Sequence, residues 1–287
     1  MKKLLITGAY GQLGNEMKVI SPNYPQFEFI FTDVDSLDIC NKIAVNNFVT
    51  SNKIDFIINC AAYTAVDKAE EDQDKCYAIN RDAVKILGEA AKANGSKLIH
   101  VSTDYVFDGT SHIPYTEEMP ICPQSVYGKS KAEGEIELQK VCKEAVIIRT
   151  SWLYSSFGNN FVKTMIKLGT ERDSLGVIFD QIGTPTYAAD LASVIMQIVT
   201  QNQWKGGIYH FSNEGVASWY DFTKAIHEIY GISCIVNPLE TKEYPSKTPR
   251  PAYSVLNKAK IKQAYNLQLP YWKDGLKRCI DVLKKGA

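Results

Sequence analysis

Tyr127 and Lys131 stand four residues apart in "SVYGKSKAEGE", residues 125–135. In a helix, positions i and i+4 share one face, so a phenol and an ammonium there converge on one point. A free phenol, with a pKa near 10, is a poor acid or base at neutral pH, and a neighbouring ammonium lowers that value by stabilising the phenolate. The pair then reads as a tuned proton donor or acceptor. Taken alone, a Y-x-x-x-K spacing arises easily by chance, and a packed tyrosine beside a solvated lysine accounts for it. A second group changes the balance. The segment "HVSTDYVFDG", residues 100–109, places the hydroxyls of Ser102 or Thr103 at the end of an apolar run, where one of them can hold a carbonyl oxygen.

Such groups act together only if a frame positions them. The first half of the chain alternates β-rich runs ("KLLIT", "FEFIFT", "DFIINC", "KLIHVS", "AVIIRT") with amphipathic segments beginning near Gln12, Cys40, Gln73 and Gly128. That is the pattern of βαβ units around a parallel sheet. The Gln73 segment carries Ile79, Ala83, Ile86, Leu87 and Ala90 at helical spacing. After Thr150 the alternation breaks down, and residues 151–287 are expected to form mainly a smaller C-terminal lobe with a discontinuous boundary. It includes the proline-bearing loop "YPSKTPRPAYSVLN" and a final helix from about Trp272. Residues 1–150 are expected to form the dinucleotide-binding domain. Parts of about 187–215, a helix over 190–199 and a strand over 208–211, are expected to pack back on it.

The dinucleotide reading comes from "LLITGAYGQLG". Gly8, Gly11 and Gly14 directly follow the first run and open the first helix. Glycines there permit a tight turn and close backbone approach to a pyrophosphate, while the helix N-terminus offers free N–H groups. Asp33 ends the second run, where an acid would hydrogen-bond an adenosine ribose and favour NADH. After the third run, the small Ala61 and Ala62 of "NCAAYTAVDKAE" let a flat cofactor lie against the backbone, and Asp67 and Glu70 read as helix-start charges.

Composition bounds the rest. With 32 basic and 32 acidic residues in 287, no overall field draws the chain to nucleic acid or an anionic membrane. The 16 Tyr and 4 Trp, lacking a basic patch, read as core and pocket. The opening apolar run is interrupted by Gly8 and Gly11 well short of a signal core or membrane span. Seven scattered cysteines without a C-x-x-C pair favour the reducing cytoplasm.

With glycine turn, strand-end hydroxyl and Tyr/Lys pair in that order, the chain resembles the extended short-chain dehydrogenase/reductase family. Further segments ("STDYVFDG", "RTSWLY", "GNNFVKTM", "DQIGTPT", "RPAYSVLN", "LPYWKDGLKR") extend the resemblance from about residue 3 to 283, toward its reductases of dTDP-linked 4-keto-6-deoxy sugars. The resemblance implies a Rossmann-like doubly wound parallel sheet with a smaller C-terminal substrate-binding lobe. It also implies hydride delivery from NADPH or NADH to the C4 ketone of dTDP-4-dehydro-β-L-rhamnose, giving dTDP-β-L-rhamnose.

By the same resemblance, Tyr127 supplies the proton, Lys131 holds the nicotinamide ribose, and Thr103 binds the substrate. Cofactor contacts fall on Gly11, Gln12, Leu13, Asp38, Ile39, Ala61, Ala62, Tyr63 and Ser102. Sugar-nucleotide contacts fall on Thr103, Asp104, Trp152, Asn160, Gln181 and Arg250. Monomer and homodimer both remain open. Some relatives dimerise through a magnesium site of glutamates; Glu16 matches one ligand, but Ala189 stands where another would align, so no metal is expected. Two other readings belong to the same frame. One is another nucleotide-sugar enzyme of the fold, a reductase, dehydratase or epimerase: dehydratases carry Asp-Glu after the threonine, whereas this chain has Asp104 and Tyr105, and epimerases hold their cofactor tightly and show no net redox change. A non-catalytic regulatory subunit, like that of methionine adenosyltransferase, could keep the turn and lose catalysis, but Thr103, Tyr127 and Lys131 are all present.

Overall fold

The structure is a computed structural model describing residues 1–244 and 246–286; Pro245 of the proline-bearing loop and Ala287 lie outside the described residues. Six strands form the main sheet: β1 (Lys2–Thr7), β2 (Phe27–Thr32), β3 (Phe56–Asn59), β4 (Lys97–Thr103), β5 (Val146–Thr150) and β7 (Gly207–His210). Their order is β7-β5-β4-β3-β1-β2, and every pairing is parallel. The chain steps outward from β1 to β2 and then returns to the other side of β1 for β3. That reversal opens a crevice at the carboxyl ends of β1 and β3.

Alternation along the strands explains why both faces are covered. Leu4, Ile6, Ile58, Ile99 and Ile148 face one core, and Leu5, Ile57, Leu98 and Ile147 the other. The first core packs under α1 (Gln12–Ile20) and α6 (Ala188–Thr200), through Met17, Leu191 and Ile195. The second packs under α2 (Lys42–Asn52), α3 (Ala83–Asn94) and α4 (Val126–Val141), through Val45, Leu87 and Leu138. Asn41 caps α2 by accepting from the Ala44 N–H at 3.0 Å, and Ser125 caps α4 by accepting from Gly128 at 3.1 Å.

The segment expected to be one helix from Gln73 is divided. A short helix over Gln73–Tyr77 and the regular α3 are joined by a π turn over Ala78–Asp82. The extra residue in that turn rotates Asn80 inward. Gly134 of α4 makes room, since a Cβ there would overlap the Asn80 carbonyl oxygen.

A separate apolar cluster lies outside the sheet. Val162 and Met165 of α5 (Phe161–Glu171), Phe222 and Ile226 of α7 (Trp219–Tyr230), and Leu276 and Ile280 of α8 (Trp272–Lys285) pack with Leu175 of β6 (Ser174–Ile178) and Val236 of β8 (Ile235–Leu239). The two strands pair in parallel.

Candidate active site

The glycine turn is built by close contact. Gly8 has φ +66, in the left-handed region, and a Cβ on it would come within 2.7 Å of the Ala61 backbone, so the turn rests directly on the segment after β3. Gly14 lies against the Gly8 carbonyl and Ala9. Gly11 caps α1 with no side chain accepting from the first turn and no acid within it. The first N–H groups of α1, those of Gln12 and Leu13 among them, therefore face the crevice with the positive end of the helix dipole. Asp33 sits beside them, its two oxygens accepting from the Tyr10 and Val34 N–H groups, each at 2.9 Å. Asp38 is exposed at the same edge, whereas the Ile39 side chain is in the core under α2 and leaves only its backbone for a ligand. These residues fit a dinucleotide: an uncapped helix N-terminus, a turn whose small residues leave its backbone open, and a strand-end acid.

Beyond β3, Ala61 and Ala62 are half-buried, and Tyr63 is clamped by Asn80. Asn80 Oδ1 accepts from the Tyr63 N–H at 2.9 Å, and Nδ2 donates to the Tyr63 carbonyl at 3.0 Å and the Ser130 hydroxyl at 3.1 Å. Asn80 thus ties the segment after β3 to the middle of α4. Sequence reasoning missed it; the available signal was a polar residue beside the apolar positions of an amphipathic helix.

Tyr127, Lys131 and Glu135 occupy successive turns on one face of α4. Lys131 is fully buried, its Nζ donating to the Val101 carbonyl at 2.7 Å and lying 3.4 Å from His100 Nε2. Burial pushes its ammonium down to about 8. The ring of Tyr127 meets Tyr105 edge to face at 5.5 Å. The phenol does not behave as the spacing predicts. Burial, the largest influence, raises its pKa above the ordinary value, with the Thr103 hydroxyl pulling the other way. The expected lowering by Lys131 is not seen: desolvation dominates, and the ammonium is turned to the Val101 carbonyl.

The two strand-end hydroxyls separate. Ser102 donates to Glu135 Oε1 at 2.5 Å, and Glu135 is gripped by Arg149 at 2.7–3.1 Å, all within the protein. Thr103 faces Tyr127, donating to Asp104 Oδ1 at 3.0 Å. Asp104 is buried, its Oδ2 has no partner among the described residues, and burial pushes its carboxyl up to about 7.

Next to this cluster opens a cavity of about 980 Å³, with Gln12, Asp67, Tyr105, Trp152, Asn160, Gln181 and Arg250 in its wall. Trp152, at φ +49, stacks on Trp219 with centroids 3.5 Å apart. Asn160 caps α5 and donates to Gln12 Oε1 at 3.0 Å, joining the glycine turn to the far wall. Gln181 donates to Thr241 at 3.2 Å, and Arg250 pairs with Asp67 at 2.8 Å. Glu70 accepts from the Val126 N–H at 2.9 Å, so its charge serves the start of α4.

A glycine turn at the crevice of a parallel sheet, with tyrosine and lysine on the helix after β4, defines the chain as a short-chain dehydrogenase/reductase. Residues 1–285 match the family described as RmlD substrate binding domain. The chain belongs to that family, the dTDP-4-dehydrorhamnose reductases. It is 45% identical to the dTDP-4-dehydrorhamnose reductase of Aggregatibacter actinomycetemcomitans, over 96% of this chain and 98% of that one. The crystal structure of a dTDP-4-dehydrorhamnose reductase from Clostridium acetobutylicum superposes with a TM-score of 0.94 at 44% identity, covering 98% of this chain and 99% of the other. The Bacillus anthracis enzyme, solved in complex with NADP, gives 0.93 at 39% identity, covering 98% and 100%.

Proposed function

We propose that this chain reduces the C4 ketone of dTDP-4-dehydro-β-L-rhamnose to dTDP-β-L-rhamnose with NADPH or NADH, the last step in making dTDP-L-rhamnose for cell-surface polysaccharide. The observation that carries the reading is family membership over 285 residues together with Tyr127, Lys131 and Thr103 at the carboxyl edge of the sheet.

In this reading Gly8, Gly11, Gly14, Gln12 and Leu13 hold the cofactor diphosphate at the α1 N-terminus, and Asp33, Asp38 and the Ile39 backbone hold its adenosine end. Ala61, Ala62, Tyr63 and Ser102 bound the inner part of the site, with Ser102 acting through its backbone or through the Glu135 contact its hydroxyl already makes. The nicotinamide supplies the hydride when bound. Tyr127, kept protonated by burial, donates its proton to the oxygen at C4 as negative charge develops there. Lys131 holds the ribose and steadies the phenolate that remains. Thr103 aligns the carbonyl oxygen. Asp104, Trp152, Asn160, Gln181 and Arg250 receive the sugar nucleotide, with Arg250 suited by charge and fork geometry to the diphosphate. Residues 1–150, with parts of 187–215, would form the dinucleotide-binding domain, and the rest of 151–287 the substrate lobe. A cytoplasmic setting is supported by seven free cysteines.

The test couples purified dehydratase and epimerase, which make the keto sugar from dTDP-glucose, to this protein and follows nicotinamide absorbance. Oxidation that depends on this chain, with dTDP-L-rhamnose as product, is the expected result. Cofactor binding without oxidation, once keto sugar is shown to be present, would refute it.

A further inference from the structure

His100 lies in β4 beneath the Tyr127/Lys131 face, fully buried, and the mechanism above leaves it without a task. Its ring has two polar neighbours. Asn59 Nδ2 stands 3.0 Å from Nδ1, and Lys131 Nζ stands 3.4 Å from Nε2.

The proton on this ring can be placed. Asn59 Oδ1 accepts the main-chain N–H of Ala61 at 3.1 Å, and the Thr7 hydroxyl at 2.7 Å. A main-chain N–H can only donate, so the carboxamide has one possible orientation, and its nitrogen faces His100 as a donor. Nδ1 must then carry the lone pair. Burial, with the Lys131 charge adding to it, holds the imidazole far below its ordinary pKa and hence neutral, so its single proton sits on Nε2. That N–H points at Lys131. An ammonium has only donors to offer in return, whereas a neutral amine has a lone pair that accepts.

We infer that His100, with its tautomer set by Asn59, is a positioning residue that controls the proton on Lys131. The other groups facing Lys131 act in the opposite sense or not at all. Glu135, one turn further along α4, and Cys76, from the short helix Gln73–Tyr77, favour the ammonium. The Val101 carbonyl accepts from either form of the nitrogen. The Glu135 charge is shared with Arg149 and Ser102, which leaves His100 the close neighbour that favours the amine. The chain Thr7, Asn59, His100, Lys131 thus links the end of β1, beside the glycine turn, to the catalytic helix across β3 and β4.

The consequence rests on the proposed function, in which Lys131 works as a cation. Activity should fall on the alkaline side as Lys131 loses its proton near pH 8, well before the buried phenol of Tyr127 ionises. The experiment measures kcat/KM for the keto sugar, and NADPH affinity by fluorescence, across this range in the full-length chain. His100→Phe keeps a ring and removes the N–H. Asn59→Asp offers a carboxylate that accepts a hydrogen bond from an Nδ1–H, which moves the single imidazole proton off Nε2 and leaves the Nε2 lone pair to accept from the ammonium.

Both changes are expected to move the alkaline limb upward by about one pH unit, a tenfold gain in proton affinity. His100→Gln is the variant to use if phenylalanine prevents folding. Reduced kcat with an unmoved limb in these variants would show that His100 only packs, and would overturn the inference. If the unsubstituted chain bound NADPH but did not reduce the keto sugar, the proposed function would fail; the pH dependence of NADPH affinity would then decide the His100 inference by itself.

Discussion

A phenol that must hold a proton through substrate binding and release it to a nascent alkoxide needs a proton affinity above the working pH. In the proposed role of proton donor, Tyr127 has that affinity raised further by burial, and the charge of Lys131 would become useful only after the proton has left. Tyr127→Phe keeps the ring against Tyr105 and removes the donor. It should lower kcat by about 10²-fold or more while NADPH affinity changes little, which single-turnover rates and fluorescence titration would measure. Normal turnover in that variant would remove Tyr127 from the role. The spacing of Tyr127 and Lys131 was legible because helical periodicity is a local property. The choice between Ser102 and Thr103 was not legible. Adjacent strand residues face opposite ways, and what occupies the Ser102 side is Glu135 and Arg149, distant in sequence.

At the scale of elements, the five strands of the first half were readable because parallel strands buried on both faces leave near-continuous apolar runs. The π turn was not, since it depends on a glycine in another helix. Asn80 reaches Tyr63 only if the Asn80 backbone lies against α4, and Gly134 is what allows the approach. Gly134→Ala should therefore destabilise the chain by about 1–3 kcal/mol, the usual range for forcing an extra methyl into a packed contact. It should also weaken NADPH binding, because moving Asn80 releases the Tyr63 main chain that the proposed function sets against the cofactor. Thermal unfolding and cofactor titration read the two effects separately. Unchanged midpoint and affinity would mean that the contact relaxes without consequence.

Across the whole molecule, α1 carries the joint between the glycine turn and the wall of the cavity. Gln12 meets Asn160, and one turn later Glu16 accepts from the buried Ser155 hydroxyl at 2.6 Å. Nothing in the sequence marked this joint, because its partners lie some 140 residues apart. Among the described residues no cation is paired with Glu16 there. Burial raises its pKa most, nearby Asp190 adds in the same direction, and Ser155 opposes both. Asp190 is itself engaged by Arg278 at 2.8 Å and Asn213 at 2.7 Å.

A carboxyl whose folded-state pKa is raised contributes stability that is full below its ordinary value of 4.5 and lost as pH rises through the folded value. At neutral pH the ionised carboxylate therefore works against the fold. Glu16→Gln keeps an acceptor for Ser155 and carries no charge, so its melting temperature should exceed that of the unsubstituted chain at pH 7–8. The gain should shrink as pH falls toward 4.5, because the native carboxyl is then protonated as well. Melting curves of both chains over that range measure the difference. A glutamine variant less stable at neutral pH would mean that the negative charge is balanced in solution. The joint between turn and cavity would then depend on that charge as well as on the hydrogen bond to Ser155.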